Sequence, residues 1–156
     1  MIRRPAPGEA PAIAAMWHAV WHETHAPLVP ISLTQARTED DFRVRTYRML
    51  ADMRLTGPEG APTGLCVVSG DELDQLYVAK EARGTGAADA LMADALDRLR
   101  ANGAGRAWLI VAQRNDRAAA FYERHGWERT ATGKGEVTLA TGLRFPIKTW
   151  RYERDL

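Results

Sequence analysis

Cysteine is nearly absent from this chain of 156 residues, in which Cys66 is the only one. A single cysteine cannot form an internal disulfide, and this favours a reducing compartment. Cys66 lies in the apolar run at 65–68, where a small buried hydrophobic residue is the simplest interpretation. The sequence therefore excludes a fold held together by disulfides within the chain.

An excess of charge of one sign is also absent, since the formal net charge is +1. Basic and acidic residues are interspersed, so no global field favours nucleic acid or an anionic membrane. No apolar run approaches the roughly 20 residues of a membrane-spanning helix. Residues 1–5 lack the apolar core of a signal peptide. We therefore expect a cytoplasmic protein with no nucleic-acid partner and no membrane partner.

What remains is the composition of an ordinary globular protein, with 46% hydrophobic and 26% charged residues. The length suits one domain with one substantial core. Internal repeats, linkers and low-complexity segments are not evident in the sequence. We expect a single domain over residues 1–156.

Apolar spacing predicts helices at 9–24, 39–50, 86–101 and 116–124. The first has a clear stripe that includes Trp17 and Trp21. The second has a rougher stripe, to which Val44 and Tyr47 are assigned. Strands are predicted at 2–4, 52–55, 64–69, 72–78, 106–112, 127–130 and 143–152.

The strand at 72–78, the helix at 86–101 and the strand at 106–112 form a predicted βαβ unit. Its strands should be parallel, with a right-handed crossover. Ligands of open α/β sheets bind beyond the carboxyl ends of such strands. The turn at 83–88 lies there, where main-chain N–H groups and a helix N-terminus can bind phosphate or pyrophosphate.

Two motifs in this region resemble the GNAT superfamily of N-acetyltransferases. The turn Arg83-Gly84-Thr85-Gly86-Ala87-Ala88 matches the pyrophosphate motif R/Q-x-x-G-x-G/A. The pattern N-x-x-A-x-x-F-Y-x-x-x-G-F/W is matched downstream by Asn115, Ala118, Phe121, Tyr122, Gly126 and Trp127. The resemblance covers about residues 64–128. It implies an α/β (α+β) fold, with a mixed, mostly antiparallel sheet flanked by helices and opened between the parallel strands of a central βαβ unit.

The resemblance further implies acetyl-CoA as cosubstrate, with no metal. The implied pantetheine contacts are main-chain groups of Leu76, Tyr77 and Val78. The implied pyrophosphate contacts are the backbone of Gly84, Thr85, Gly86, Ala87 and Ala88, with added charge from Arg83. Phe121 and Tyr122 belong to the same implied cofactor site. Asn115 either caps the following helix or bonds the pantetheine amides, and Asp116 is an alternative cap.

Two residues are candidates for acid–base chemistry. In the family, the tyrosine that corresponds to Tyr122 is a general acid toward the coenzyme sulfur, whereas a tyrosine on an apolar stripe is commonly a core residue. Glu72 matches the position where some relatives carry a general base, and Asp74 shares its strand face. Solvated carboxylates at a strand start are the equally simple interpretation.

The acceptor side carries no comparable motif. By resemblance, Trp21 and His25 are expected to contact the acceptor, a small-molecule or peptide amine. His18 and His22 have the spacing of half a metal site, but no third ligand has matching spacing, so no metal is expected. A homodimer is plausible by family analogy alone.

These observations predict an acetyl-CoA-dependent N-acetyltransferase in which a primary amine attacks the thioester directly. Cys66 is a poor candidate for an acyl-enzyme nucleophile. The alternative is a noncatalytic acyl-CoA-binding or sensor domain of the same fold. Another nucleotide-binding α/β protein is disfavoured because G-x-x-x-x-G-K-[ST] and a complete G-x-G-x-x-G are both missing.

Overall fold

The computed structural model describes all 156 residues. The helices are α1 (Ala10–His25), α2 (Ile31–Ala36), α3 (Glu39–Met49), α4 (Ala87–Ala101) and α5 (Asp116–Arg124). The strands are β1 (Met53–Thr56), β2 (Gly64–Ser69), β3 (Glu72–Val78), β4 (Arg106–Ala112), β5 (Glu128–Thr138) and β6 (Arg144–Asp155). Short 3-10 turns occupy Leu50–Asp52 and Lys80–Ala82. No helix combines the length and the apolar character that crossing a membrane would require.

The six strands form one sheet in the order β1-β2-β3-β4-β6-β5. All neighbouring strands are antiparallel except β3 and β4, which are parallel and are joined through α4. The predicted βαβ unit is therefore present at the centre of the sheet. This confirms the predicted α/β (α+β) fold, with a mixed, mostly antiparallel sheet flanked by helices.

Strand β2 shows how the core is divided between the two faces of the sheet. Leu65 and Val67 belong to the apolar cluster formed with α1 and α3. Cys66 and Val68 belong to the cluster formed with α4 and α5. Successive side chains of a strand point to opposite faces, so both faces are covered by helices. The ends of the strands and the gaps between them remain as places for a ligand.

The parallel strands β3 and β4 meet at one point and then diverge. Glu72 opposite Trp108 is their only ladder pair, and the Trp108 N–H donates to the Asp71 carbonyl at 3.1 Å. In the β2–β3 ladder, Asp74 is an extra residue between Leu73 and Gln75. A bulge of this kind bends a strand and re-aims its side chains. The rest of β3 therefore has one free edge, which borders a cleft.

Three predictions about elements need correction. The strand expected at 2–4 is reduced to one bridge between Arg3 and Leu55. Helix α2 was not predicted, because six residues are too few to show a helical period. Strand β5 continues to Thr138 instead of ending at 130, although its side chains are mostly exposed. Its pairing with β6 along nearly the whole strand stabilises this length without an apolar pattern.

Candidate active site

The turn between β3 and α4 presents a row of unused main-chain donors. Gly84 and Gly86 have φ angles of 77° and 87°, which residues with a side chain rarely adopt. No main-chain acceptor in the protein takes the N–H groups of residues 84–88. The last of these groups lie in the first turn of α4, where the helix dipole adds partial positive charge. The turn can therefore hold a phosphate or a pyrophosphate group.

The side chains of this turn are engaged within the protein. Arg83 Nη1 donates to Glu23 Oε1 of α1 at 2.6 Å, and Arg83 Nη2 is buried without an acceptor. The Thr85 hydroxyl donates to the Ala82 carbonyl. These contacts hold the turn in shape. The donors available to an anion are consequently those of the main chain.

The free edge of β3 offers main-chain groups at Leu76 and Val78. The register places Tyr77 opposite Leu65 of β2, and the Ala79 N–H donates to the Thr63 carbonyl at 2.7 Å. Hydrogen-bonding direction alternates along an antiparallel pair, so the main-chain groups of Tyr77 face β2. Those of Leu76 and Val78 face the cleft. Tyr77 contributes its side chain, with its ring centroid 6.0 Å from that of His25.

Asn115 precedes α5 and caps it. Its Oδ1 accepts a hydrogen bond from the Ala118 N–H at 3.4 Å. The alternative in which Asp116 provides the cap is therefore wrong. The Asn115 amide nitrogen makes no hydrogen bond within the protein and remains available to a ligand. Phe121 lies one turn further on, with its ring 5.6 Å from that of Tyr122.

Two cavities meet at Tyr122. The α5 cavity, about 320 Å³, is lined on its own side by Thr24, Val78, Arg83, Ala88, Arg117, Phe121 and Arg124. The α3 cavity, about 390 Å³, is lined on its own side by Trp21, His25, Arg37, Arg45, Glu72, Asp74 and Glu136. Leu76, Tyr77, Asn115, Ala118 and Tyr122 line both. Molecules in the two cavities would thus approach each other beside the free edge of β3.

Tyr122 itself is buried, with 9% of its surface exposed, and its hydroxyl has no hydrogen-bond partner in the protein. Burial raises the pKa of this phenol above its usual range. The group is therefore protonated at every physiological pH. It can donate a proton at the junction of the two cavities.

Glu72 opens β3 and lines the α3 cavity. Burial, followed by the negative charges of Asp74 and Asp71, raises its pKa to about 7. Arg151 offsets part of this effect. A carboxylate with a pKa near neutrality can both accept and release a proton under working conditions. Its placement beside the cavity differs from that of an ordinary solvated carboxylate.

Trp21 and His25 line the α3 cavity together. Their rings stack at 5.1 Å with an interplanar angle of 10°. Burial, with the nearby charges of Arg37 and Arg45, lowers the pKa of His25 to about 4. His25 is thus neutral at pH 7, and its Nδ1 is buried without a partner. A neutral imidazole can exchange hydrogen bonds with a ligand in this cavity.

His18 and His22 share the face of α1 that carries Trp21 and His25, since the four positions are spaced i, i+3, i+4 and i+7. The ring centroids of His18 and His22 are 4.3 Å apart, and His22 Nε2 lies 2.6 Å from the Arg37 carbonyl oxygen, to which it donates. No group of three or more potential metal ligands is present in the structure. The His18 ring lies 5.7 Å from that of Phe42, so this histidine packs α1 against α3, whereas His22 contacts the segment before α3.

Two pairs of arginines border the cavities without having been predicted. Arg117 and Arg124 flank the α5 cavity, and Arg37 and Arg45 line the α3 cavity. Arg117 lies within the Asn115–Tyr122 motif and Arg124 follows it by two residues, so this pair could have been identified from the sequence.

Arg45 was missed because a rough apolar stripe was assigned to α3 from the sequence. Val44 and Tyr47, which were assigned to that stripe, are 41% and 59% exposed. The helix is rotated so that Arg45 faces inward beside Phe42, over whose ring its guanidinium lies at 5.3 Å.

Comparisons with known proteins agree with this geometry. Residues 55–127 match the sequence model of the acetyltransferase (GNAT) family. The peptidyl-lysine N-acetyltransferase YjaB of Escherichia coli is 28% identical over 152 residues, which cover 97% of this chain and 95% of the relative.

Solved structures extend the comparison to the fold. The solution structure of apo YjaB superposes with a TM-score of 0.71 at 25% identity, over 98% of this chain and 95% of that one. A GCN5-related N-acetyltransferase from Rhodopseudomonas palustris gives a TM-score of 0.75 at 21% identity, over 100% of this chain and 95% of that one. PaiA N-acetyltransferase of Thermoplasma acidophilum, solved with coenzyme A, gives a TM-score of 0.72 at 15% identity, over 100% of this chain and 98% of that one.

The fold, with a splayed central pair of strands beside a glycine-rich turn, matches that of solved N-acetyltransferases. In sequence, residues 55–127 correspond to the GNAT acetyltransferase domain, and the relatives named above are N-acetyltransferases.

Proposed function

We propose that the protein transfers the acetyl group of acetyl-CoA to a primary amine by direct attack of the amine on the thioester. The observation that best supports this proposal is the junction of the α5 and α3 cavities at Tyr122. The α5 cavity reaches Arg83 and Ala88, at the two ends of the turn whose main-chain donors suit a pyrophosphate. The α3 cavity contains the carboxylate of Glu72, which suits an amine.

Glu72 is the proposed general base. An alkylammonium group with a pKa of about 10 must lose a proton before it can attack. A carboxylate with a pKa of about 7 accepts that proton far better than one with an ordinary pKa. The transfer passes directly or through a bound water.

The main-chain N–H groups at the free edge of β3, those of Leu76 and Val78, are the proposed donors to the oxyanion that forms during attack. A fixed dipole aimed at developing charge lowers the barrier more than a solvent dipole, which must first reorient. Tyr122 then protonates the departing thiolate. Burial raises the pKa of a thiol as it raises that of a phenol. The pKa values of the departing thiol and of Tyr122 therefore shift in the same direction in this enclosed site.

Direct attack by the amine is favoured over an acyl-enzyme intermediate, because the only thiol of the protein is unsuited to act as the nucleophile. Cys66 is fully buried on the face of the sheet covered by α4 and α5. Burial raises its pKa to about 12. The thiolate, which is the nucleophile, is therefore essentially absent at neutral pH.

The acceptor is a small-molecule or peptide amine. The relative YjaB is named as a peptidyl-lysine N-acetyltransferase, and a lysine side-chain amine is accordingly included among the candidates. A cytoplasmic location and a possible homodimer stay predictions from the sequence and the family resemblance.

Two measurements test the proposal. Calorimetry with CoA, ATP and NAD should give binding for CoA alone, and no CoA binding at millimolar concentration would contradict a coenzyme A site. Thiol release from acetyl-CoA should then depend on an added amine. CoA binding without thiol release, over a panel of alkylamines, amino acids and lysine peptides, would support the noncatalytic acyl-CoA-binding alternative.

A further inference from the structure

The α3 cavity carries a positive charge, that of the half-buried Arg45, which the proposed chemistry does not use. We propose that the acceptor bears a carboxylate in addition to its reactive amine, and that Arg45 binds this carboxylate inside the α3 cavity. This inference rests on the proposed function and specifies the class of its acceptor.

Arg45 has no acidic partner. Its guanidinium lies 4.4 Å from the centroid of the Trp17 ring, and its Nη1 is buried without a hydrogen-bond acceptor. Burial and the nearby charge of Arg37 lower its pKa to about 10, so it remains positively charged at pH 7. An uncompensated buried charge is costly, and a bound anion relieves that cost.

Arg37 provides the internal comparison. It is 3% exposed, and its Nη1 donates to Asp41 Oδ2 at 2.7 Å. The other oxygen of Asp41 accepts from the Ala140 N–H at 2.6 Å. Asp41 is thus engaged by one arginine and one main-chain group. Of the two arginines at this end of the cavity, Arg37 is paired with Asp41 and Arg45 has no acidic partner.

Two acids of the same cavity are engaged elsewhere, since Asp74 Oδ1 accepts from Gln75 Nε2 at 3.1 Å and Glu136 pairs with Arg144. Asp74 is near enough for its charge to act on Arg45, but no ion pair joins them. Asp74 also acts on Glu72, the proposed base. The cavity therefore has an acidic part beside Glu72 and a basic part beside Arg45. A molecule with one amine and one carboxylate complements both.

A second group of cations could hold a carboxylate instead. Arg114, Lys134 and Lys148 line a neighbouring cavity of about 430 Å³, and Lys134 and Lys148 lie opposite each other in the β5–β6 ladder. This group is at the surface, where its charges are solvated and screened. Arg45 is half-buried and its Nη1 has no acceptor, so it gains more from an anion. We therefore assign the carboxylate to Arg45 and test Lys134 beside it.

The test uses acceptor pairs that differ only in the carboxylate. Nα-acetyl-lysine is compared with its amide, and leucine with leucinamide, by kcat/KM in thiol release from acetyl-CoA. We expect the wild type to favour the acid of the better pair by about tenfold or more, the scale of a charge-assisted hydrogen-bonded pair. In Arg45→Gln the ratio should fall to about one.

The control Arg43→Gln removes an exposed arginine of the same helix, which pairs with Asp40, and should keep the wild-type ratio. Arg45→Lys retains the charge and should keep part of the preference. A wild-type ratio near one overturns the inference, as does a preference that survives in Arg45→Gln. A preference lost in Lys134→Gln, but not in Arg45→Gln, would place the carboxylate at the neighbouring cavity and also overturn it.

A binding measurement keeps the inference testable without turnover. With CoA bound, Nα-acetyl-lysine or leucine should raise the melting temperature of the wild type more than its amide does. Arg45→Gln should lose this difference, and Arg43→Gln should keep it. Equal shifts for acid and amide in the wild type contradict the inference, whereas absent thiol release with every amine contradicts the proposed function. Unchanged CoA affinity in Arg45→Gln verifies that the variant is folded.

Discussion

The two cavities that meet at Tyr122 are built from different parts of the polypeptide. The α5 cavity is lined mainly by two stretches of sequence, the end of β3 with its turn and residues 115–124, with Val20 and Thr24 of α1 beside them. The α3 cavity depends on side chains from eight elements, from Trp21 in α1 to Ile147 in β6. Main-chain geometry is set locally, whereas converging side chains require the whole fold. A motif can therefore identify the cosubstrate but not the acceptor.

The cavities also differ in how their charges are balanced. At the turn, Arg83 is paired with Glu23, and the available positive charge is the partial charge of main-chain dipoles. In the α3 cavity, full charges lie close together, with Glu72 and Asp74 on β3 and an unpaired Arg45 on α3. Charges held without partners suggest ligand recognition, because they cost stability in the free protein. The comparison leads to predictions of decreasing size.

The largest effect is expected at the junction. Tyr122→Phe should lower kcat by about 100-fold or more, because general acid catalysis contributes on that scale. The affinity for CoA, measured by calorimetry, should change by less than about threefold, since the ring and its packing remain. The matched control is Tyr47→Phe, which changes an exposed tyrosine on α3. An equal loss of CoA affinity would mean that Tyr122 only shapes the α5 cavity.

The next effect belongs to the α3 cavity. Because Glu72 must be ionised to accept a proton, kcat/KM should rise with pH and level off above the Glu72 pKa of about 7. Glu72→Gln should lower kcat/KM by about tenfold or more at pH 8, and the profile should lose this ionisation. The exposed Glu128→Gln is the control. A profile that keeps its step near pH 7 in Glu72→Gln would assign the base to another group.

A smaller effect is expected in the turn. Gly86→Ala places a side chain at a φ of 87°, a strain of about 1–3 kcal/mol. Relief of that strain would move the N–H groups of 84–88, so the Kd for CoA should rise about tenfold. Gly103→Ala, at a φ of 84° after α4, carries similar strain away from both cavities. If both variants weaken CoA equally, global destabilisation rather than the turn accounts for the loss.

The same contrast explains what could be predicted from the sequence. The spacing of apolar residues and the turn residues predicted the βαβ unit and the turn, because those features are local. The inward position of Arg45 could not be predicted, because α3 has apolar residues on several sides. Its rotation is set by packing of Phe42 and Trp17, whose rings lie 5.2 Å apart. The length of β5 was missed for a related reason, since its partner β6 specifies it through backbone pairing.

The smallest effect tests whether the turn works through its main chain. Because Arg83 is paired with Glu23 near the surface, and such pairs contribute about 0.2–1 kcal/mol, Arg83→Gln should raise the Kd for CoA by less than about threefold. Glu23→Gln frees the guanidinium and should leave that Kd unchanged or slightly lower. Calorimetry on both variants and the double mutant measures the coupling. A loss in Arg83→Gln larger than in Gly86→Ala would mean that the guanidinium leaves Glu23 for the phosphates, and side-chain charge would then govern both cavities.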